Sequence, residues 1–177
     1  MSGLVHLYVG ISLDGYIAAP DGGVDWLDPY AEARKGFGPF IKTVGSQIMG
    51  RATFDWAAER GYADYGNLPN YVVTHRPIEV KTRAIAWSGD LRELVETIRA
   101  KHPKDIWLMG GGEVTKAFAE ADLIDIWSVA FVPTLLGQGR PMFVPRPFRE
   151  QRLQLVRSHQ YDDGVVELRY ERMSPRR

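Results

Sequence analysis

The segment Ile106-Trp107-Leu108-Met109-Gly110-Gly111-Gly112-Glu113-Val114 decides the fold class, because an apolar run passes through three glycines directly into a helical pattern. The four apolar residues 106–109 predict a buried strand. Residues 113–121 are predicted to form a helix, and the glycines between strand and helix allow a tight turn. A strand followed at once by a helix is the building unit of α/β proteins, so this segment predicts a sheet covered by helices.

The same alternation of strand and helix extends along the chain. Apolar, β-branched runs predict strands, and apolar residues spaced three or four apart predict helices. The predicted strands cover 4–11, 46–49, 71–74, 84–87, 106–109 and 123–133, and residues 16–18 are predicted to be a short extended piece within the long loop 12–28. The predicted helices cover 29–43, 53–59, 90–101 and 113–121, and the first of them is expected to break near Gly36, Gly38 and Pro39.

The chain ends in a predicted hairpin, in which segments 151–161 and 165–172 flank the turn Asp162-Asp163-Gly164. Alternating strands and helices predict a mainly parallel sheet, to which the hairpin adds antiparallel edge strands. We therefore predict one α/β domain over residues 1–177. The proline-rich stretch 141–147 is predicted to be a loop.

Composition excludes several classes of function. The 177 residues include 22 Lys and Arg and 22 Asp and Glu, so the formal net charge is zero and does not favour binding to nucleic acid or an anionic membrane. The absence of cysteine excludes disulfides and cysteine-bound metals. The four histidines have no ligand spacing, so no metal site is predicted. No apolar run approaches the ~18 residues of a membrane span, and a cytoplasmic protein is expected.

Three strand ends carry groups that suit anions. Glycines 110–112 stand before a helix whose first N–H groups and positive dipole end favour a phosphate or diphosphate. At a second strand end, Arg51 and Thr53 offer a cation and a hydroxyl at a helix start. At a third, Thr74-His75-Arg76 suits a phosphomonoester such as the 2′-phosphate of NADP. Each feature alone also fits an ordinary turn or a solvated loop, whereas the three together favour a nucleotide.

In their order along the chain, these motifs resemble the dihydrofolate reductase-like superfamily, in particular the C-terminal reductase domain of the bifunctional riboflavin-biosynthesis deaminase/reductase. The resemblance extends over about residues 4–172. It rests on segments 12–18, 23–27, 49–54, 71–76, 109–112, 123–125 and 133–139. It implies a three-layer fold, with a central, mostly parallel, twisted sheet of about eight strands, an antiparallel C-terminal hairpin and helices on both faces.

The resemblance also implies NADPH as hydride donor, a small-molecule substrate and a homodimer formed through the region of strand 123–133. It implies a cis peptide bond between Gly110 and Gly111. The residues that it assigns to the cofactor are Ile17 and Ala18 beside the nicotinamide, Gly50, Arg51 and Thr53 at a phosphate, Thr74, His75 and Arg76 at the 2′-phosphate, and Gly110, Gly111, Gly112, Glu113 and Val114 around the diphosphate.

The substrate side is less defined by the sequence. Dihydrofolate reductase binds its pterin ring with a carboxylate at the start of its first helix. Asp25 is the nearest catalytic candidate here, because Trp26 offers an apolar wall that raises a carboxyl pKa. A carboxylate that caps the next turn is the alternative for Asp25. Tyr16, Trp26 and Phe40, with Asp14 beside them, are the candidate substrate pocket, since aromatic side chains stack on flat rings. Core packing for the aromatic residues and a turn-forming role for Asp14 are the alternatives.

Three functions stay open at this point. The predicted one is an NADPH-dependent reductase of a small planar heterocycle, pterin- or pyrimidine-like. The second is the riboflavin-pathway reductase of 5-amino-6-(5-phosphoribosylamino)uracil, whose phosphate needs further basic residues. Segment 12–28 has none, and Arg34, Lys35 and Arg60 are the nearest candidates. The third is a nucleotide-binding sensor without turnover.

Overall fold

The computed structural model describes residues 3–62, 64–147 and 149–173. The strands are β1 (Val5–Ser12), β2 (Tyr16–Ala18), β3 (Val44–Gly50), β4 (Asn70–Val73), β5 (Ile85–Trp87), β6 (Asp105–Gly110), β7 (Ile126–Val132), β8 (Arg140–Pro141), β9 (Leu153–Gln160) and β10 (Val166–Arg172). The α-helices are α1 (Ala31–Ile41), α2 (Arg51–Glu59), α3 (Leu91–Lys101) and α4 (Gly112–Glu120). Across these described ranges, no helix combines the length and the apolar character that crossing a membrane requires.

Eight of the strands form one sheet in the order β5-β4-β3-β6-β1-β7-β10-β9. The six strands from β5 to β7 are parallel, and β10 is antiparallel to both of its neighbours, β7 and β9. β1 lies inside the sheet, where Val5, Leu7 and Ile11 are buried. A parallel strand that is covered on both faces has to be apolar, which the sequence of β1 satisfies. The predicted, mostly parallel sheet with an antiparallel hairpin is confirmed.

Helices cover both faces of this sheet. Successive residues of a strand point to opposite faces. Leu7 belongs to the apolar cluster of α3 and α4, whereas the neighbouring Tyr8 packs with Phe40 of α1. Met109 packs in the clusters of both α1 and α2, so these two helices share a face. The expected three-layer arrangement is confirmed.

Helix α1 differs from the prediction, since it continues from Ala31 to Ile41 without the expected break. Gly36 lies against Tyr161 of the C-terminal hairpin, and a Cβ at this position would come within 2.3 Å of the Tyr161 hydroxyl oxygen. The close packing of the hairpin accounts for a small residue here. Tertiary contact therefore overrides the low helix propensity of glycine.

The start of the proline-rich stretch is a strand and not the predicted loop. Strand β8 pairs with β2 in a two-stranded antiparallel ribbon outside the main sheet. The two segments approach closely, because a Cβ at Gly139 would lie 2.3 Å from the carbonyl oxygen of Ala18. A two-residue strand is too short to produce a sequence pattern. The ribbon nevertheless forms one wall of the candidate site.

Candidate active site

A cavity of about 1120 Å³ opens at the carboxyl ends of the parallel strands. Five of these strands contribute to its wall through Gly10, Gly50, Val73, Met109 and Val132. Ligands of open α/β sheets bind at this edge. Sites for drug-sized ligands measure about 300–1,000 Å³, so this cavity has room for a dinucleotide and a second small molecule.

The turn between β6 and α4 presents backbone to this cavity. Gly110 and Gly111 have positive φ angles of 106° and 91°, which residues with a side chain rarely adopt. A Cβ on Gly111 would lie 3.0 Å from Thr53 Oγ1, and one on Gly112 would lie 2.4 Å from the carbonyl oxygen of Pro141. No side chain caps α4. The first N–H groups of the helix are therefore available to an anion.

The resemblance implies a cis peptide bond between Gly110 and Gly111. This expectation is wrong, because every peptide bond among the described residues is trans. The chain turns into α4 through the positive φ angles of the two glycines instead.

Helix α2 starts in the same way beside α4. It follows Gly50 without a side-chain cap, and β3 and β6 are adjacent, with Met49 paired to Gly110. Thr53 Oγ1 lies 3.5 Å from the carbonyl oxygen of Gly110 and links the two turns. Two adjacent helix N-termini suit the two phosphates of a diphosphate.

At the cavity wall, two arginines converge on Asp55. Arg51 Nε donates to Asp55 Oδ1 at 2.6 Å, and Arg76 Nη2 lies 3.4 Å from Asp55 Oδ2. Arg51 also donates to the carbonyl oxygen of Pro77 at 2.9 Å, which fixes its guanidinium. Arg76 is 67% exposed and keeps donors free for a ligand. Two cations with one carboxylate form a net positive site that suits a phosphate.

Most of the predicted cofactor residues come together at this cavity. Thr74 is buried, and its Oγ1 accepts a hydrogen bond from the backbone N–H of Arg76 at 3.0 Å, so it holds the turn. His75 is exposed and lies off the wall. Gly110 is also not among the residues that line the cavity. The predicted residues that do line the cavity are Ile17, Ala18, Gly50, Arg51, Thr53, Arg76, Gly111, Gly112, Glu113 and Val114.

Asp14, predicted for the substrate pocket, is used by its own loop. Its carboxylate accepts hydrogen bonds from Ser12 Oγ at 2.6 Å and from the Gly137 N–H at 2.7 Å. The bond from Ser12, followed by bonds from the backbone of 136–137, lowers the pKa of Asp14. Asp14 is absent from the cavity wall and stabilises the contact between loops 12–16 and 134–137.

The other residues predicted for the substrate pocket are also not among the residues that line the cavity. Phe40 is buried in the core, stacked on Tyr8 with the ring centroids 4.5 Å apart. Tyr16 packs beside Gly139 in the β2–β8 ribbon. Asp25 is exposed in the single 3₁₀ turn Asp25–Leu27, which also contains Trp26. From this turn, Leu27 and not Asp25 reaches the cavity.

Several residues on the substrate side of the cavity wall were not predicted from the sequence. The residues that were not predicted are Tyr8, Tyr30, Trp107 and Arg140, whereas Arg34, a candidate from the sequence, does lie on the wall. Arg140 has no local sequence signal, because it reaches the cavity only through the pairing of β8 with β2. Glu113 is the one carboxylate that the described residues place on the wall. No group of three potential metal ligands occurs among them.

Tyr8 connects this cavity to a buried carboxylate. Its hydroxyl donates to Glu167 Oε2 at 2.9 Å, and the Tyr161 hydroxyl donates to the same oxygen at 3.1 Å. Glu167 lies on β10 and is 9% exposed. Burial, and next the charge of Glu167, raise the pKa of Tyr8 above its ordinary value, so the phenol keeps its proton.

Comparison with known proteins supports the same fold. The family model described as the RibD C-terminal domain matches residues 4–167. This chain belongs to the RibD C-terminal domain family. The uncharacterized protein YwjB of Bacillus subtilis (strain 168) is 31% identical to this family member over 162 residues, covering 90% of this chain and 92% of YwjB.

Two solved structures resemble this RibD C-terminal domain protein over nearly their whole length. A Shewanella sp. PV-4 protein, named as a candidate riboflavin biosynthesis protein, is 26% identical with a TM-score of 0.85, covering 98% of this chain and 100% of that chain. Dihydrofolate reductase from Enterococcus faecalis, complexed with NADP(H) and RAB-propyl, is 17% identical with a TM-score of 0.71. The alignment covers 98% of this chain and 99% of the reductase. The implied dihydrofolate reductase-like fold is therefore shown.

Proposed function

We propose that this protein is an NADPH-dependent reductase that transfers a hydride to a small planar heterocycle, pterin- or pyrimidine-like. The observation that carries the proposal is the meeting of two uncapped helix starts, those of α2 and α4, on the wall of one large cavity. The match to the RibD C-terminal domain and the NADP(H) complex of the Enterococcus reductase support it.

The cavity wall fits a dinucleotide phosphate. The glycine turn leaves a cradle that a Cβ would fill, since Gly111 lies directly against Thr53. In the proposed complex, the first N–H groups of α4 hold the diphosphate, with Arg51 as a fixed donor at a phosphate. Arg76 holds the 2′-phosphate, and Ile17 and Ala18 lie beside the nicotinamide. Bound NADPH supplies the hydride. The chain orients the acceptor ring against it and excludes water.

Aromatic residues on the α1 side of the cavity favour a flat acceptor. Tyr30, Phe37 and Trp107 line this half, and Phe37 and Trp107 pack with their ring centroids 5.1 Å apart. Aromatic walls bind planar rings by stacking and keep water out of the site. This support for a heterocyclic substrate comes from residues other than those predicted for the substrate pocket.

The riboflavin-pathway reductase is a second candidate, which two arginines favour. Arg34 and Arg140 both line the cavity and provide cations for the phosphate of a phosphoribosyl pyrimidine. Lys35 and Arg60, the other basic residues considered, are absent from the wall. Arg34 forms an ion pair with the exposed Asp28, at 3.5 Å. Turnover of the phosphoribosyl substrate but not of its dephosphorylated form distinguishes this candidate from the first.

A thermal-shift titration with NADPH and NADH, side by side, tests the proposal. A ligand that binds only the folded state stabilises it by about 2.7 kcal/mol at 100 times its Kd. We expect a larger shift with NADPH than with NADH. Absence of a shift with either cofactor at millimolar concentration removes the reductase proposal. NADPH binding without oxidation by any pterin or pyrimidine supports the sensor instead. A cytoplasmic location stays a prediction from the sequence.

A further inference from the structure

We propose that Tyr8 binds an N–H or O–H group of the substrate through its phenol oxygen, and that Glu167 positions Tyr8 for this contact. The inference rests on the proposed function, because it concerns the substrate half of the same cavity. Neither residue belongs to the motifs on which the cofactor site is based.

The position of Tyr8 is fixed from two sides. Its ring stacks on Phe40 with an interplanar angle of 16°, and its hydroxyl is held by Glu167 at 2.9 Å. Tyr8 lies on β1 and Glu167 on β10, with β7 between them, so the hydrogen bond spans three adjacent strands. The phenol therefore occupies a defined place beside the cavity, before any ligand binds.

The hydrogen-bonding capacity of Tyr8 follows from its partner. The Glu167 carboxylate accepts a hydrogen bond from each of the two tyrosines that contact it. The single hydroxyl hydrogen of Tyr8 is committed to Glu167. What the Tyr8 oxygen offers to a ligand is consequently a lone pair. This pair of residues selects a donor and disfavours a ligand that presents only acceptors.

Of the three hydrogen-bonded residues Tyr8, Glu167 and Tyr161, one alone faces the cavity. Tyr8 is a lining residue, whereas Glu167 and Tyr161 lie behind it. Burying a carboxylate costs free energy that its hydrogen bonds have to offset, and a phenylalanine at position 8 would stack on Phe40 equally well. Tyr161 has a separate structural role, since its hydroxyl lies against Gly36 of α1. Recognition of a hydrogen-bond donor on the substrate explains why position 8 has a phenol and position 167 has a carboxylate.

Two matched ligands test the role of Tyr8. Lumazine is a planar bicycle with two ring N–H groups, and 1,3-dimethyllumazine has methyl groups in place of both hydrogens. Affinities are measured by ligand fluorescence, with the protein saturated with NADP⁺. We expect Tyr8→Phe to weaken lumazine binding about tenfold and to change dimethyllumazine binding by less than about twofold. The control Tyr170→Phe removes a phenol of the same strand β10 that lies off this cavity, and it leaves both affinities within about twofold.

A second variant tests the positioning role of Glu167. In Glu167→Met, a side chain of similar length carries no carboxylate oxygen, so the Tyr8 hydrogen loses its acceptor and is free to be donated to a ligand. We expect the preference for lumazine over dimethyllumazine to disappear in this variant. The NADP⁺-induced thermal shift is expected to stay unchanged, which separates this effect from misfolding.

Several outcomes overturn the inference. Equal losses for both ligands in Tyr8→Phe indicate a structural role for the phenol. An unchanged lumazine affinity in that variant removes Tyr8 from recognition, and a wild-type preference in Glu167→Met removes Glu167. If the NADP⁺-bound protein binds no lumazine at millimolar concentration, the inference fails. The proposed function fails separately, and visibly, when NADP⁺ and NADPH produce no thermal shift.

Discussion

Arg51 and Arg76 differ at the residue scale, although both contact Asp55. Arg51 is anchored by Asp55 and by the carbonyl oxygens of Arg76 and Pro77. Arg76 is largely exposed and has one carboxylate contact. Arg76 is therefore the cation that is free to bind a 2′-phosphate, whereas Arg51 serves as a fixed donor of the cavity wall.

Replacing Arg76 tests this difference. We expect Arg76→Ala to weaken NADPH binding by about 1.5 kcal/mol and to leave NADH binding nearly unchanged, because only NADPH carries the 2′-phosphate. Kd values from fluorescence titration measure both effects. Arg157→Ala, an exposed change on β9, is the control. Equal losses for the two cofactors exclude Arg76 from the phosphate contact.

His6 makes stability depend on pH. It is 6% exposed, and its Nε2 lies 2.8 Å from Ser128 Oγ. Burial, and next the charge of Arg169, lower the pKa of His6 from 6.5 to about 3. Between these values the unfolded chain binds the proton and the folded protein does not. The stability contributed by neutral His6 is therefore complete above pH 6.5 and falls as the pH drops toward 3.

Urea unfolding at several pH values measures this contribution. Between pH 6.5 and 4, we expect His6 to reduce the free energy of unfolding by up to about 3 kcal/mol, in addition to the effect of the carboxylates. His6→Gln should show a shallower slope over this range, and the exposed His75→Gln should keep the wild-type slope. Identical slopes in all three proteins contradict the lowered pKa.

At the scale of elements, the start of α4 depends on the absence of a side chain. Gly112 lies against β8, and a Cβ there would also come within 2.7 Å of Val144 Cγ2. Gly38 lies inside α1 directly before Pro39, and apart from its chain neighbours and the local helix backbone no atom is within 4 Å of the position of its Cβ. The same substitution is therefore expected to cost more stability at Gly112 than at Gly38.

Thermal unfolding and NADPH titration compare these glycines. We expect Gly112→Ala to destabilise the protein by about 1–3 kcal/mol and to weaken NADPH binding, because β8 has to move away from the glycine turn. Gly38→Ala should change stability by less than about 1 kcal/mol, since the higher helix propensity of alanine is opposed by the clash of its Cβ with the ring of Pro39. Unimpaired NADPH binding by Gly112→Ala excludes the turn as the diphosphate site.

Elements with local causes were predictable from the sequence. Asp90 caps α3 at the start of the helix predicted over 90–101, and its carboxylate accepts from the N–H groups of Arg92 and Glu93 at 2.7 and 3.1 Å. The turn 162–164 closes the predicted hairpin between β9 and β10. The continuity of α1 and the existence of β8 were not predictable, because each depends on packing against a segment more than a hundred residues away.

At the scale of the whole molecule, β7 does not require a partner subunit. Trp127 and Val129 are buried within the subunit, where β7 is paired with β1 and β10 on its two edges. The apolar character of segment 123–133 therefore has an internal explanation. The exposed apolar residues of this end of the sheet are Leu155 and Val156, on the edge strand β9. The homodimer stays a prediction, with β9 as its expected contact, since edge strands favour pairing.

Sedimentation equilibrium tests the homodimer. We expect twice the subunit mass of 20.0 kDa for the wild-type protein and a monomer for Val156→Lys, because a charge on an edge strand opposes pairing. Leu135→Lys, at an exposed apolar position outside the main sheet, is the matched control and should remain dimeric. A wild-type mass of 20.0 kDa contradicts the prediction.

The sequence by itself determined the order of strands and helices and most of the cofactor half of the candidate site. Glycine turns, an aspartate cap and apolar periodicity act between residues that are close along the chain, so they are visible without the fold. Only the tertiary structure decided the rest of the substrate half, where Tyr8, Arg140 and Glu167 come from three different elements. The sheet order places β10 two strands from β1, so that Glu167 reaches Tyr8, and the pairing of β8 with β2 brings Arg140 to the cavity. No local pattern encodes contacts over such separations along the chain.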